Sequence, residues 1–321
     1  MTTTDFNHSF QHYKDINQLF QSDKKIVVIE SCFYDRKQDF SDYDLVVVLD
    51  AEVTNDDLST YIQTLEQNFN NKNVISILSG WNTCYESHPK VFWHPLWFRR
   101  TSSCQPTVDT TQGPKTRLFD ALLGINKYNR QYVFEQLTNN NLLDSSYVSI
   151  LENSFGSQQL YRTPELDAID IALGPFNSYD YHQEYEVNQS CVIPNQVYAD
   201  SWYSLIAETQ YEHFTNYFTE KTAKALLAQR VFVMFGCPGH LAHLQQLGFK
   251  TFNGIIDETY DTIENNQQRF DSAFEQVLWL SKQDPVYIYQ QARPILEHNY
   301  NLITDTEYFN KLLKEMINTF I

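Results

Sequence analysis

Glycine is scarce in this chain, nine residues in 321, and four of them (Gly236, Gly239, Gly248 and Gly254) fall in one short stretch. No Gly-x-Gly-x-x-Gly and no Walker-type run occurs. That absence argues against a dinucleotide dehydrogenase and a P-loop kinase, whose phosphate loops need those glycines for close backbone approach. The five cysteines, Cys32, Cys84, Cys104, Cys191 and Cys237, are odd in number and include no C-x-x-C pair, so neither a disulfide framework nor a zinc ribbon is expected. Long hydrophobic runs are missing, and the start, Met1-Thr-Thr-Thr-Asp-Phe-Asn-His8, has neither the basic nor the apolar region of a secretory signal. The expectation is a cytoplasmic protein without a membrane span. Positive charge is also short: 23 Lys and Arg against 40 Asp and Glu leave a formal net charge of −17, with a pI near 4.8. Such a field repels phosphate polymers. A nucleic-acid partner is therefore disfavoured unless Arg99, Arg100, Lys115, Arg117 and Lys127, which are close in sequence, gather at one cleft.

What is present is apolar and aromatic. Hydrophobic residues make up 42% and aromatics 15%, which excludes a disordered chain, and the length suffices for two domains with cores of their own. Short β-branched runs, Lys25-Ile-Val-Val-Ile-Glu30, Asp44 to Asp50 and Asn73 to Leu78, predict strands buried on both faces, with a helix over Leu58 to Phe69. Val91 to Phe98 reads as a strand that Pro95 ends or places at an edge. After a polar stretch over 101–116 the same grammar returns: strands over Trp202 to Ala207 and Val231 to Phe235, and a helix over Thr219 to Gln229. Gly236-Cys-Pro-Gly239 then turns into a short helix that ends at Gly248, Phe249 to Phe252 is extended, and Thr262 to Ser281 is helical. Repeated strand, helix, strand order implies α/β architecture with parallel sheets. We expect two Rossmann-like domains facing a cleft, residues 1–114 and 115–300, and then an amphipathic helix over 301–321. That helix has Phe309, Leu312, Leu313, Met316, Ile317 and Phe320 at helical spacing and docks on the protein's own core.

Ligands of open α/β sheets bind at the carboxyl ends of the strands, and the turn before residue 219 is such a place. Thr219 can cap the helix, and Glu220 and Lys221 occupy its first turn. A Lys at the positive end of a helix dipole is unfavourable unless an anion lies beside it. Glycines at 236 and 239 suit close backbone approach to a sugar or phosphate. Cys237, His240 and His243 have metal-ligand spacing without a fourth ligand, so no metal is expected. Asp42-Tyr-Asp44 has the form of an Asp-x-Asp metal motif but precedes a strand, as a solvated turn does. Trp81, Trp93 and Trp97 read as core rather than as sugar-stacking platforms.

The stretch Ile206-Ala-Glu208-Thr209 through Tyr217-Phe-Thr219-Glu220-Lys221, then an Ala- and Leu-rich helix and a strand ending at Gly236, resembles the nucleotide-sugar motif of the alpha-1,3-fucosyltransferase family. That family reads Phe-Glu-Asn, a loop, Tyr-Val-Thr-Glu-Lys, a helix and a strand. Phe119 to Arg130, followed by Tyr132, Phe134 and Leu137, is similar to the same family's strand-loop-Arg segment. Residues around Pro238-Gly239-His240 and Ile256 to Asp261 resemble phage and marine-bacterial proteins described as glycosyltransferase-like. The resemblance implies a GT-B-like fold and a nucleoside-diphosphate sugar as donor, GDP-linked in the family. It implies that Arg130 and Lys221 contact the diphosphate, Glu220 the ribose, and Tyr217 the nucleotide, with Glu208 and Thr219 in the binding motif. Thr209 stands where the family has Asn.

An inverting transfer needs a carboxylate base at the acceptor hydroxyl, supplied in the family by a Glu of the N-terminal domain. Glu30, at the end of the first strand, is the first candidate, with Glu52 and Asp50 as rivals. The sequence thus leads to an inverting, metal-independent glycosyltransferase. Its acceptor would be a glycan hydroxyl or, in a phage protein, a hydroxymethylated pyrimidine in DNA. The competing class is a non-catalytic nucleotide- or sugar-binding module on the same fold.

Overall fold

The computed structural model describes residues 25–30, 39–50, 58–81, 88–95, 98, 101, 115–152, 159–167, 193–212 and 216–318. Among them the chain is a mixed α/β protein whose sheets are mostly parallel. The first sheet consists of β1 (Ile26–Glu30), β2 (Leu45–Asp50), β3 (Val74–Leu78) and β5 (Val91–Trp93), in that order. All three pairings are parallel. Val46, Val47, Val48, Val74 and Ile77 are fully enclosed, as expected of central parallel strands covered on both sides. Helix α1 (Leu58–Asn68) buries Leu58, Tyr61, Ile62 and Leu65, the i, i+3, i+4, i+7 stripe of an amphipathic helix. Its Tyr61 hydroxyl lies 3.0 Å from Ser76 Oγ inside β3, so a polar atom in the strand core finds a partner. The strand expected over Val91 to Phe98 stops at Trp93, two residues before Pro95.

The second sheet begins with β6 (Arg117–Ile125), which leads into α2 (Tyr128–Asn139). Next come β7 (Ser146–Leu151), the antiparallel β8 (Gln159–Arg162), α3 (Asn195–Asp200) and β9 (Ser201–Ala207). Past the two-residue β10 (Asn216–Tyr217) lie α4 (Glu220–Leu227), β11 (Val231–Phe235) and α5 (His240–Gln246). The strand order is β11-β9-β6-β7-β8. From β6 the chain moves to one side, into β7, and later returns to the other side, into β9. The strand order therefore reverses between β6 and β9, and a crevice opens outside their carboxyl ends at such a switch point.

Three long helices close the chain: α6 (Asn266–Leu280), α7 (Pro285–Thr304) and α8 (Thr306–Asn318). Phe270, Ala273, Phe274, Val277 and Leu280 of α6 face the core. The helix expected over Thr262 to Ser281 is two elements, because the Asn265 side chain caps α6 by accepting from Gln268 N at 3.0 Å and a separate 3-10 turn covers Thr259–Thr262. Phe249 to Phe252 forms no strand; Phe249 and Phe252 are buried in the core without a ladder. The final amphipathic helix starts at Thr306 rather than 301, since α7 runs on to Thr304 and Asp305 Oδ1 then accepts from Glu307 N and Tyr308 N. Phe309 and Leu313 of α8 are fully buried.

Contacts tie the two sheets. β4 (Gly80–Trp81) pairs antiparallel with β10, Asn216 opposite Trp81 and Tyr217 opposite Gly80. A Cβ on Gly80 would lie 2.7 Å from the Tyr217 ring, so only glycine admits this approach. His94 Nε2 lies 3.1 Å from the Phe309 carbonyl, and Trp93 and Phe98 pack on Phe218 at centroid distances of 6.0 and 5.5 Å. Trp93 thus serves packing, as its sequence context predicts. Among the described residues no helix is long and apolar enough to cross a membrane.

Candidate functional site

Two connections meet at the switch point. The first, from β6 to α2, carries Asn126, Lys127, Asn129 and Arg130. A β-bulge between Leu122 and Gly124 bends the end of β6, and Gly124 takes φ +68°, a left-handed conformation costly for other residues. Arg130 lies over this bulge, donating from Nη1 to the Ile125 carbonyl at 2.8 Å, and is 4% exposed. Asn129 is completely buried, and its Nδ2 donates to the carbonyls of Glu208 and Phe235, each at 2.9 Å. One amide thereby ties the connection after β6 to the carboxyl ends of β9 and β11. Lys127 Nζ reaches the Thr209 carbonyl at 2.9 Å. No side chain caps the N-terminus of α2, which leaves the positive end of a twelve-residue helix at the crevice.

The second connection runs from β9 to α4. Glu208 is fully buried. Its carboxylate accepts from the Thr219 hydroxyl at 2.6 Å, from the Thr222 hydroxyl, from Thr219 N at 3.3 Å and from Thr209 N at 3.2 Å. These bonds satisfy the anion and fasten the start of α4 to the end of β9. Glu208 is thus a positioning group whose oxygens are committed. Thr219 is the N-cap, its Oγ1 accepting from Lys221 N at 3.3 Å. Lys221 Nζ pairs with Glu220 Oε1 at 2.8 Å, the two side chains being 20% and 17% exposed. Burial works against the Glu220 carboxylate, but the charges of Lys221 and Lys224 and the Lys221 hydrogen bond outweigh it and hold the group down at about 2. Tyr217 is buried against Gly80.

A third element borders these two. Gly236 ends the β11 segment, and its carbonyl accepts from Arg269 Nε at 3.0 Å. Arg269 also donates to the carbonyls of Ile263 and Tyr211, at 2.7 and 2.8 Å, so one buried guanidinium joins three loops. Gly239 is the N-cap of α5, but its N–H is bound to the Asp261 carbonyl at 2.7 Å. The Asp261 carboxylate takes the next donors, Leu241 N and Ala242 N, at 3.0 and 3.1 Å. The glycine turn expected to offer free N–H groups is therefore closed by residue 261. At Gly236 a Cβ would stand 3.2 Å from His240 Nδ1, so side-chain packing fills that space. His240 is fully buried, and desolvation, with His243 adding to it, pushes its pKa down to about 3. Its Nδ1 lies 3.2 Å from Asn216 Oδ1, while Asn216 Nδ2 lies 2.7 Å from His243 Nδ1. These histidines are committed to the β10 ribbon, and no group of three or more metal-type ligands occurs among the described residues.

The structure brings Arg130, Glu208, Thr219, Glu220, Lys221 and Gly236 to one end of one sheet. Glu30 and Asp50 close β1 and β2 at the carboxyl end of the first sheet, and Glu52 lies outside the described residues. The basic cluster does not assemble. Lys115 and Arg117 precede or start β6 while Lys127 follows it, and a nine-residue strand separates the two groups by roughly 25–30 Å. Lys115 is held by the carbonyls of Tyr198 and Ala199, and Arg117 by Asp144 and Glu165. Arg99 and Arg100 lie outside the described residues. Sequence reasoning missed Asn129, Arg269 and Asp261. The contacts that join loops, from Asn129 to Glu208 and Phe235, from Arg269 to Gly236 and Tyr211, and from Leu241 and Ala242 to Asp261, span long stretches of chain, so no local motif signals them. No protein-family model matches the chain, and no curated protein sequence does either.

Proposed function

We propose that the protein is an inverting, metal-independent glycosyltransferase with a GT-B-like pair of Rossmann-like units, the nucleoside-diphosphate sugar held at the carboxyl end of the second sheet. The observation that supports this reading best is the meeting of two helix N-termini at the β6/β9 switch point, each with a cation in its first turn: Arg130 in α2 and Lys221 in α4. A cation at the positive end of a helix is out of place alone and well placed beside an anion. In the reaction the diphosphate leaves with growing negative charge, which Arg130, Lys221 and the α2 N–H groups would meet without reorganised water. Glu220, ionised across the physiological range, would accept from ribose hydroxyls, and Tyr217, buried against Gly80, would reach the nucleotide only after that packing opens. A carboxylate of the first unit, Glu30 with Asp50 and Glu52 as rivals, would take the proton of the acceptor hydroxyl. The fucosyltransferase resemblance favours a GDP-linked donor and a glycan acceptor.

A second reading, a binding module without catalysis, draws on one feature. Arg130 already rests on the Ile125 carbonyl and Lys221 on Glu220, so binding a diphosphate requires both to exchange partners. A thermal-shift panel of GDP, UDP, ADP and CMP derivatives, with product analysis of any nucleotide sugar that binds, separates the cases. The enzyme reading expects one nucleotide to stabilise the wild type by about 2.7 kcal/mol at a hundredfold excess over Kd, and Lys221→Ala to abolish the shift. Binding without sugar release to any hydroxyl, water included, would favour the module. No shift with any nucleotide would defeat both.

A further inference from the structure

An aromatic cluster at the mouth of the switch-point crevice has no part in the reading above. Tyr128 is the first residue of α2, two before Arg130, and it is 45% exposed. Its ring centroid lies 5.8 Å from that of Tyr211, at an interplanar angle of 33°, and 6.0 Å from that of Phe270, at 36°. Tyr211 and Phe270 are themselves 6.1 Å apart. The three centroids thus make a nearly equilateral triangle. An aromatic ring that ends the core while keeping nearly half its surface in water gives up burial that a buried ring would gain.

The cluster is also held rigid. Phe270 is fully buried on α6, and the Arg269 guanidinium carbon sits 5.1 Å from its ring centroid. Arg269 fixes the Tyr211 carbonyl at 2.8 Å and the Gly236 carbonyl at 3.0 Å. The Tyr128 hydroxyl donates to Gln267 Oε1, and the Tyr211 hydroxyl to Glu212 Oε1 at 3.0 Å. These bonds hold the rings at their hydroxyl ends, while Tyr128 keeps 45% of its surface exposed. Tyr211 lies on the same connection as Glu208, and Tyr128 on the same helix turn as Asn129 and Arg130, so the cluster borders the place assigned to the diphosphate. A planar π-system is the chemistry that such a rigid ring recognises best.

We propose that Tyr128, braced by Tyr211 and Phe270, is the stacking platform for the nucleobase of the bound nucleotide. The inference rests on the nucleotide reading and adds to it a residue that recognises the base. The carboxylate of Glu212 at its edge, which accepts from the Tyr211 hydroxyl through Oε1, keeps acceptor capacity on its second oxygen and so favours a base that presents N–H groups there. Phosphate, by contrast, is repelled from the Glu212 side and directed toward the α2 and α4 N-termini.

The test is calorimetric titration of wild type, Tyr128→Ala and Tyr128→Phe with the best nucleoside diphosphate of the panel, its nucleotide sugar and inorganic pyrophosphate, with melting temperatures as a check on folding. Stacking predicts that Tyr128→Ala weakens the nucleoside diphosphate at least about fivefold and leaves pyrophosphate unchanged, while Tyr128→Phe stays within about twofold. Three outcomes overturn the proposal. Equal nucleoside diphosphate affinity in Tyr128→Ala, with Lys221→Ala still defective, removes the platform but leaves the nucleotide reading standing. An effect confined to the nucleotide sugar assigns the ring to the sugar instead. Absence of any nucleotide binding by the wild type removes both together.

Discussion

The two sheets handle polar groups in opposite ways. Around the first, the buried polar side chains among the described residues are amide, hydroxyl and imidazole groups: Asn71, Ser76, Ser79 and His94. Among the described residues, the six buried Asp, Glu and Arg side chains, Asp120, Arg130, Glu208, Arg230, Asp261 and Arg269, belong to the second. They sit at its two ends. Asp120, Arg230, Ser201 and Ser204 close the amino end, with Arg230 Nη2 2.7 Å from Asp120 Oδ2. Arg130, Glu208, Arg269 and Asp261 hold the loops at the carboxyl end. Burying charge is costly and does not by itself increase stability. A sheet that does so at both ends has its loops fixed in place, which a site for a small ligand requires. The first sheet, among the residues whose side chains are described, has an almost wholly apolar interior.

The largest break in this contrast should come from Arg230→Ala. It leaves Asp120 buried without its cation, and also removes bonds to the carbonyls of Tyr198 and Ser201 at 2.8 and 2.6 Å. We expect a loss of about 3–5 kcal/mol in urea or guanidinium unfolding. Val47→Ala, at the centre of the first sheet, deletes only methyl groups and should cost about 2 kcal/mol. If the arginine variant lost no more than the valine variant, the amino-end network would be a passive ornament of the fold. Unfolding should be followed by two probes, since two cores allow two transitions.

The same contrast explains what was legible in the sequence. The strands β1, β2, β3, β9 and β11 were readable because a buried parallel strand is a short unbroken apolar run, as Val46 to Val48 and Val231 to Phe235 are, whereas β7 and β8, interrupted by polar residues, were not. Helix α4 was readable through Thr219 and its neighbours. The charged networks were not, because Asp120 meets Arg230 across 110 positions and only the fold's topology brings them together. Arg130, singled out through the resemblance, follows β6 in the structure, and its tucked position depends on the bulge at Gly124, which no periodicity reveals. Glu208 was read as part of a ligand motif, and in the structure four donors from three threonines surround its carboxylate and anchor α4. The gathering of Arg117 with Lys127 failed for the simplest reason: proximity in sequence is distance in space when a strand lies between.

A smaller effect is expected from Glu208→Ala. It strands the hydroxyls of Thr219 and Thr222 and removes the anion from the start of α4, at a cost of about 2–3 kcal/mol. Glu208→Gln retains an acceptor oxygen and should lose about half as much. Amide exchange in α4 should rise more than in α1, since the lesion is local to the β9–α4 connection. Uniform exchange across both helices would mean that the carboxylate supports the whole molecule and is no local clamp.

The finest difference is one of pH, and its sign distinguishes the regions. Burial pushes Glu258, whose Oε1 accepts from Phe252 N at 2.7 Å, up to about 7, against the bonds from Thr251, Phe252 and Asn253, with Asp261 adding to the rise. The folded state then holds a proton that the unfolded chain, with an ordinary glutamate value of 4.5, has released. Stability from this group is present below that value, falls as pH rises toward about 7, and is level above it. Glu258→Gln should therefore match the wild type at pH ~5 and exceed it by about 1–2 kcal/mol at pH ~8. In the first region the Lys90 hydrogen bond, 2.5 Å from Glu66 Oε1, and then Lys72 hold Glu66 below its ordinary value despite burial. Its contribution runs the other way, present above the unfolded value and lost as pH falls. Glu66→Gln should be the less stable protein at pH ~7 and converge with the wild type in acid. Urea midpoints of both variants across pH 3 to 8 would read the two slopes, and slopes of the same sign would dissolve the contrast between a sheet that uses its carboxylate for stability and one that spends it on holding a loop.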